Sequence, residues 1–155
     1  MMKEYNKGNY TMKAEKVAPG TELYNYLEDC HYTTSEDKCI KLIGTVEEVW
    51  PVTPEKLAKT YNYVDGTLID VNNIPEGEFE IITIVGDSAE TIFAERVTKQ
   101  VKVETSWGEV LTANRDGVPH GNGDYIVYAN KDGKPNPNDR WVVNGLVFEN
   151  TYVEI

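Results

Sequence analysis

The side chains with the widest chemical reach in this chain are Cys30, His31, Cys39 and His120, the only cysteines and histidines it has. Cys30 and His31 are adjacent and Cys39 follows eight positions after His31, which is not the spacing of a zinc ribbon or finger. A four-ligand site that recruits His120 is geometrically open. Packing and loop roles account for the four residues more simply, so neither a metal nor another cofactor is expected. Two cysteines are too few for a disulfide scaffold.

His120 sits in the glycine-rich run GVPHGNG (117–123), bracketed by Asp116 and Asp124. An imidazole titrates near neutral pH, and neighbouring carboxylates can orient it or hold a cation. If the protein is a hydrolase, this loop is where the chemistry belongs. Glycine loops between hairpins also exist for turn reasons alone. No serine elbow, phosphate-binding loop, dinucleotide fingerprint or HExxH motif accompanies it, so no catalytic residue is assigned and a non-enzymatic protein is the favoured expectation.

These residues must be positioned by short elements. Residues 21–30 (TELYNYLEDC) place Leu23, Tyr26, Leu27 and Cys30 at helical spacing, with Thr21 able to cap, and predict a short helix. Strands are expected over 39–42 and 45–52. Thr53-Pro54 reads as a helix start, with Thr53 as N-cap, Pro54 first and Lys56 third. Asp65-Gly66 reads as a hairpin turn between 61–64 and 67–71. The Asn/Pro/Gly run at 72–78 marks a module boundary. Residues 79–85 form a strand closed by a turn at 86–88, and 89–98 fits a helix or a strand. Strands over 101–105 and 109–112 flank Gly108, which is free to take the left-handed conformation. Residues 114–124 are loop and 124–129 a strand. Residues 130–139 (NKDGKPNPND) are a long polar turn, and 140–143 the returning strand. A short helical turn at 145–152 precedes a last strand.

A repeat organises these elements. WPVTPEKLAKTY begins at Trp50 and WVVNGLVFENTY at Trp141. Both read W-x-V, an apolar residue seven positions on (Leu57, Phe148), then Thr-Tyr (Thr60-Tyr61 and Thr151-Tyr152). Upstream, residues 38–42 align with 124–128. The Trp and Tyr side chains are expected to pin a helical turn onto a hairpin, with Thr60 and Thr151 ending the turn through side-chain-to-backbone bonds. The fold class expected is α+β, β-rich, as two tandem related modules of short antiparallel strands, over 1–75 and 76–155.

Residues 123–127 (GDYIV), a turn, 141–143 (WVV) and 147–152 (VFENTY) resemble the C-terminal signature of a small family widespread in phages and prophages, known by its PGDYG-like motif. The chain departs from that pattern at Asn122, Val142, Leu146 and Val153. The likeness is weak in the first module. It implies a phage or prophage origin and a compact β-rich domain, and it carries no assigned activity.

The formal charge of −11 repels phosphate backbones, so direct nucleic-acid binding is not expected. The same surface can imitate a nucleic acid toward a basic protein. Seven of the ten tyrosines fall in the first 63 residues, and tyrosine beside charge suits an interface. Glu36, Asp37, Glu47 and Glu48 form the densest acidic area and are the candidate binding residues. A small molecule or nucleotide derivative in a groove between modules, lined by Trp107 and His120, is the alternative. No membrane segment or secretory signal is read. The expectation is a cytoplasmic protein that binds another protein, with a homodimer open.

Overall fold

The computed structural model describes residues 2–8, 10–84 and 91–155. In chain order the elements are β1 (Lys3–Lys7), β2 (Thr11–Lys16), β3 (Glu22–Asn25), β4 (Cys30–Thr33), β5 (Ile40–Ile43), β6 (Val49–Val52), α1 (Pro54–Thr60) and β7 (Tyr61–Tyr63). There follow β8 (Glu78–Thr83), β9 (Ile92–Arg96), β10 (Val101–Glu104), β11 (Val110–Ala113), β12 (Tyr125–Lys131), β13 (Lys134–Val143), α2 (Gly145–Thr151) and β14 (Tyr152–Glu154). The fold is β-rich α+β, as two antiparallel five-stranded sheets of like topology, each with a short helix and a two-stranded hairpin.

The two sheets have the orders β6-β5-β2-β8-β7 and β13-β12-β9-β1-β14. Position by position, β2 corresponds to β9, β5 to β12, β6 to β13 and β7 to β14. The place of β8 in the first sheet is taken in the second by β1. The chain therefore forms one compact unit from Asn9–Val85 and another from Met1–Gly8 together with Gly86–Ile155. This corrects the expected division at 75/76. β8 is not the first strand of the second module, because it pairs with β2 and β7. β1 does not belong to the first, because it pairs with β9 and β14. Hydrogen bonds between distant segments override the turn signal at 72–78.

The registers of the two sheets match. Trp50 lies opposite Leu42, Leu42 opposite Ala14 and Ala14 opposite Phe79. Trp141 lies opposite Val127, Val127 opposite Ala94 and Ala94 opposite Lys3. TMKAEKV (11–17) and TIFAERV (91–97) are thus a second pair of repeated segments, with both alanines fully buried. Ile40 pairs with Val52 and Tyr125 with Val143, so Ile40 corresponds to Tyr125. The alignment of 38–42 with 124–128 is one residue out of step, which on a strand moves every side chain to the other face.

The cores follow from this register. In unit Asn9–Val85, Leu57 points from α1 into Met12, Ala14, Ile40, Leu42, Val52, Tyr61 and Ile81. In the other unit, Phe148 from α2 meets Ala94 and Val127, with Tyr5, Tyr125, Trp141 and Tyr152 around it. Phe148 stacks between Tyr125 and Tyr152, with ring centroids 3.9 and 4.6 Å away. Tyr5 stands edge-on to Phe148 at 4.9 Å. Such contacts add to the area buried by the rings. Trp50 and Trp141 pack partly buried against these cores, as the fastener reading expects. The Thr151 hydroxyl donates to the Val147 carbonyl at 2.7 Å. At Thr60 the recorded bond runs instead through the backbone carbonyl, which accepts from the Ile84 N–H.

Both helices are a turn or two long and depend on their caps. Thr53 Oγ1 accepts from the Lys56 N–H at 3.1 Å, with Pro at the helix start, as read from the sequence. Asn144 caps α2 through the Leu146 N–H at 2.9 Å.

Two segments fold differently from expectation. Residues 21–30 are no helix. They make the strand β3, which buries Leu23 and Asn25 and exposes Glu22 and Tyr24, a period of two. Asn25 Oδ1 then accepts from the Leu27 and Glu28 N–H groups, and Asp29 takes φ 48. That side-chain-stabilised turn sends the chain back as β4. Residues 130–139 are mostly strand. Only Asp132-Gly133, both at positive φ, form the turn. Pro135 and Pro137 are tolerated because β13 is an edge strand. The strand 67–71 reduces to one bridge, Asn62 to Leu68. Within the segment 89–98, Ile92–Arg96 form the strand β9, and residues 89 and 90 lie outside the described residues. The turn read at 86–88 lies outside the described residues. Among the described residues no helix is long and apolar enough to cross a membrane.

Candidate functional sites

The loop between β11 and β12 is built around Asp124, which is only 3% exposed. Its Oδ2 accepts from the Asn114 N–H at 2.8 Å. In return the Asp124 N–H donates to Asn114 Oδ1 at 2.9 Å. Its Oδ1 accepts from the Gly145 N–H at 3.0 Å and faces His120 Nδ1 at 2.9 Å. Asn114, in the left-handed region at φ 56, donates to the carbonyls of Val97 and Lys99, both at 2.9 Å. One carboxylate thus ties together the end of β11, the loop, and the start of α2.

His120 is held on both sides. Nε2 lies 2.5 Å from the Arg115 carbonyl, which can only accept. Nδ1 faces the Asp124 carboxylate at 2.9 Å. Both ring nitrogens thus have partners within the loop, and the ring links Asp124 to the Arg115 carbonyl. Gly123 and Gly145 make the closeness possible. A Cβ on Gly123 (φ 128) would lie 2.3 Å from the Val97 carbonyl oxygen, and one on Gly145 would lie 2.1 Å from that of Gly123. Asp116 is exposed and away from this bonding pattern. Trp107 sits elsewhere, at the tip of the β10–β11 hairpin, 56% exposed, with its indole N–H donating to Glu109 at 2.9 Å.

The acidic candidates separate. Glu48 is not a surface residue: it is 6% exposed, and its Oε1 would lie 1.6 Å from a Cβ on Gly44. Burial pushes its carboxyl above the usual range. Nearby tyrosines respond to its charge, and Tyr61, chiefly through its own burial, is pushed up to about 12. Glu47, at φ 66, and Glu36 and Asp37 are exposed. Glu36 lines a shallow depression of about 350 Å³ with Lys16, Cys39 and Glu76.

A denser arrangement lies on the β3–β4 hairpin, which packs against β6. Tyr24, 46% exposed, donates its hydroxyl to Asp29 at 2.7 Å and lies tilted against the His31 ring at 4.7 Å. Tyr32 donates to Glu28 at 2.5 Å. Each bond raises the pKa of the tyrosine that donates it. Tyr24 and its register partner His31 stand with Glu22 on the exposed face of the hairpin, whereas half-buried Tyr32 lies opposite buried Leu23 on the other face. The helical spacing of Leu23, Tyr26, Leu27 and Cys30 masks this hairpin in the sequence. The alternation L-Y-N-Y, with Asn25 before the turn, was the available signal. By units, Asn9–Val85 has 14 Asp and Glu against 6 Lys, a net −8, and the remainder has 12 against 9, a net −3.

Cys30 and Cys39 are free thiols. Among the described residues no group of three or more His, Cys, Asp or Glu is placed to hold a metal ion. Comparisons with protein-family models, curated proteins and solved structures find no match to the chain.

Proposed function

We propose that the chain is a phage or prophage accessory protein, acting in the host cytoplasm, that works by binding rather than by catalysis. Its partner is a protein with a basic surface of the kind that handles nucleic acid. The binding face is the β3–β4 hairpin with the acids that follow it. One observation carries this reading: Tyr24 stands exposed on the hairpin beside His31 and Glu22, its hydroxyl bonded to Asp29, within the unit that carries −8. A tyrosine already bonded to an acid offers contact area that is already oriented, so less side-chain freedom is lost on binding. The surrounding negative field steers a cationic partner and rejects nucleic acid.

Affinity capture from a bacterial lysate tests it. The wild-type chain is compared with Tyr24→Ala and with the triple reversal Glu22→Lys, Glu28→Lys, Asp29→Lys. The proposal expects a basic protein retained by the wild type and lost by both variants. Equal capture by all three overturns it.

The depression beside Glu36 supports a second reading, a small-molecule site. Its volume falls within the small-ligand range, and a lining that holds both Lys16 and the acids Glu36 and Glu76 suits a zwitterion. A thermal-shift screen of amino-acid and nucleotide derivatives, repeated on Lys16→Ala, decides it.

A further inference from the structure

Unit Asn9–Val85 is contiguous in the chain, whereas the other unit is not. Residues 91–155 contain β9 and β14 but no strand to place between them. That place is filled by β1, from the far end of the chain. On folding, the first unit can close from its own segment. The second must wait with an open slot, edged by the free side of β9 and by β14, until β1 arrives.

β1 is held weakly for a strand inside a sheet. Its sequence is KEYNK, and none of its residues is fully buried. Tyr5 supplies its apolar anchor, edge-on to Phe148 at 4.9 Å and to Tyr125 at 6.4 Å. Glu4 accepts from the Thr91 hydroxyl at 2.5 Å, and Lys3 pairs with Glu154 at 2.9 Å. β8, its counterpart in the other sheet, instead buries Ile81 completely and packs Phe79 on the core. The slot is therefore demanding in register and modest in grip.

We infer that the slot between β9 and β14 is a strand-acceptor site, and that its second occupant is β1 of another copy of this chain, giving a strand-exchanged dimer. Only a segment with Tyr opposite Ile92, Glu one residue before it and Lys two before it meets all the recorded partners, and β1 is that segment. Exchange of an identical element is a low-cost route to a dimer, since every contact is one the monomer already makes. This inference does not depend on the proposed function.

Asn6 and Val153 are register partners across β1 and β14, and both are exposed. Strand partners of this kind lie within disulfide reach. The test uses full-length chains carrying Cys30→Ser and Cys39→Ser. An Asn6→Cys population and a Val153→Cys population are denatured, mixed, refolded together at high concentration and oxidised. The inference predicts a covalent heterodimer at least about tenfold above that from Asn6→Cys mixed with Val110→Cys, an exposed position on β11, because exchange raises the local thiol concentration. Adding Tyr5→Ala to the Asn6→Cys chain should remove most of the excess. A chain with both Asn6→Cys and Val153→Cys checks folding and register by closing its own disulfide when refolded dilute. If it closes and the mixed populations give only the Val110→Cys background, exchange between copies is refuted. If it fails to close, β1 does not occupy the slot, and the inference falls with it.

Discussion

His120 Nδ1 lies 2.9 Å from Asp124 Oδ1, and the N–H of Gly145 donates to that same oxygen from the start of α2. Asp124→Ala would strand the buried Gly145 donor and the Asn114 N–H together. The expected loss is about 1–3 kcal/mol for each donor left unsatisfied. His120→Ala should cost less, because its ring bonds lie nearer the surface. Adding His120→Ala to Asp124→Ala should cost almost nothing more, since the two residues share one network. Urea unfolding of the three variants measures this. Full additivity would show that the histidine does not act through the aspartate.

Gly145→Ala should destabilise by about 1–3 kcal/mol, the usual range for forcing atoms into a packed site. The colliding atoms are the backbone carbonyls of Gly123 and His120, at 2.1 and 2.4 Å, and cannot swing aside. Gly133→Ala has open space and only its φ of 83 to contend with, so it should cost less. Thermal unfolding of the two variants ranks them.

How much of this the sequence discloses depends on how local the cause is. The Thr53 cap and Pro54 start of α1 were legible because one turn of chain decides them. So was the correspondence of Leu57 and Phe148, each in its own unit, because the repeat fixes their distance from the tryptophans. The β3–β4 hairpin was not: Leu23, Tyr26 and Leu27 fit a helical period, and only Asn25 bonding its own turn breaks the tie. Residues 130–139 looked like a loop for their prolines and asparagines, yet edge strands accept both. The exchange of β1 and β8 left no local mark, since a strand's sequence does not name its neighbours. The His120 loop is legible from its glycines and carboxylates, but Asn114, which bonds Asp124 in turn, is not. An asparagine able to take positive φ at a strand end was the available clue.

Leu57→Ala and Phe148→Ala test the equivalence of the repeats. Each removes the one large apolar side chain that its helix buries almost completely. Losses of about 2–5 kcal/mol for Leu57 and about 3–5 kcal/mol for Phe148 are expected. Amide exchange should show the first loosening β2 and β8, and the second loosening β9 and β1. The reverse pattern would contradict the unit assignment.

Glu48 gives the first unit a pH dependence. Its folded carboxyl pKa is raised above the usual value, chiefly by burial, so the folded state favours the protonated form. That contribution is fully present below the unfolded carboxyl pKa, and it is lost as pH rises through the folded one. Glu48→Gln should therefore be more stable than wild type at neutral pH, with the difference shrinking as pH falls through the carboxylate range. Thermal melts at a series of pH values check it, and a difference that grows toward acid would contradict the sign.

The central claim is that an acidic, tyrosine-bearing hairpin binds a basic partner. The most direct measurement is the dissociation constant of the wild-type chain for its captured partner from about 50 mM to about 500 mM salt, where screening shortens the reach of the field severalfold. The account predicts steady weakening with salt, carried mainly by the association rate, and a much flatter dependence for the Glu22→Lys, Glu28→Lys, Asp29→Lys variant. An affinity indifferent to salt, or a reversal variant that binds as the wild type does at every salt concentration, would contradict it.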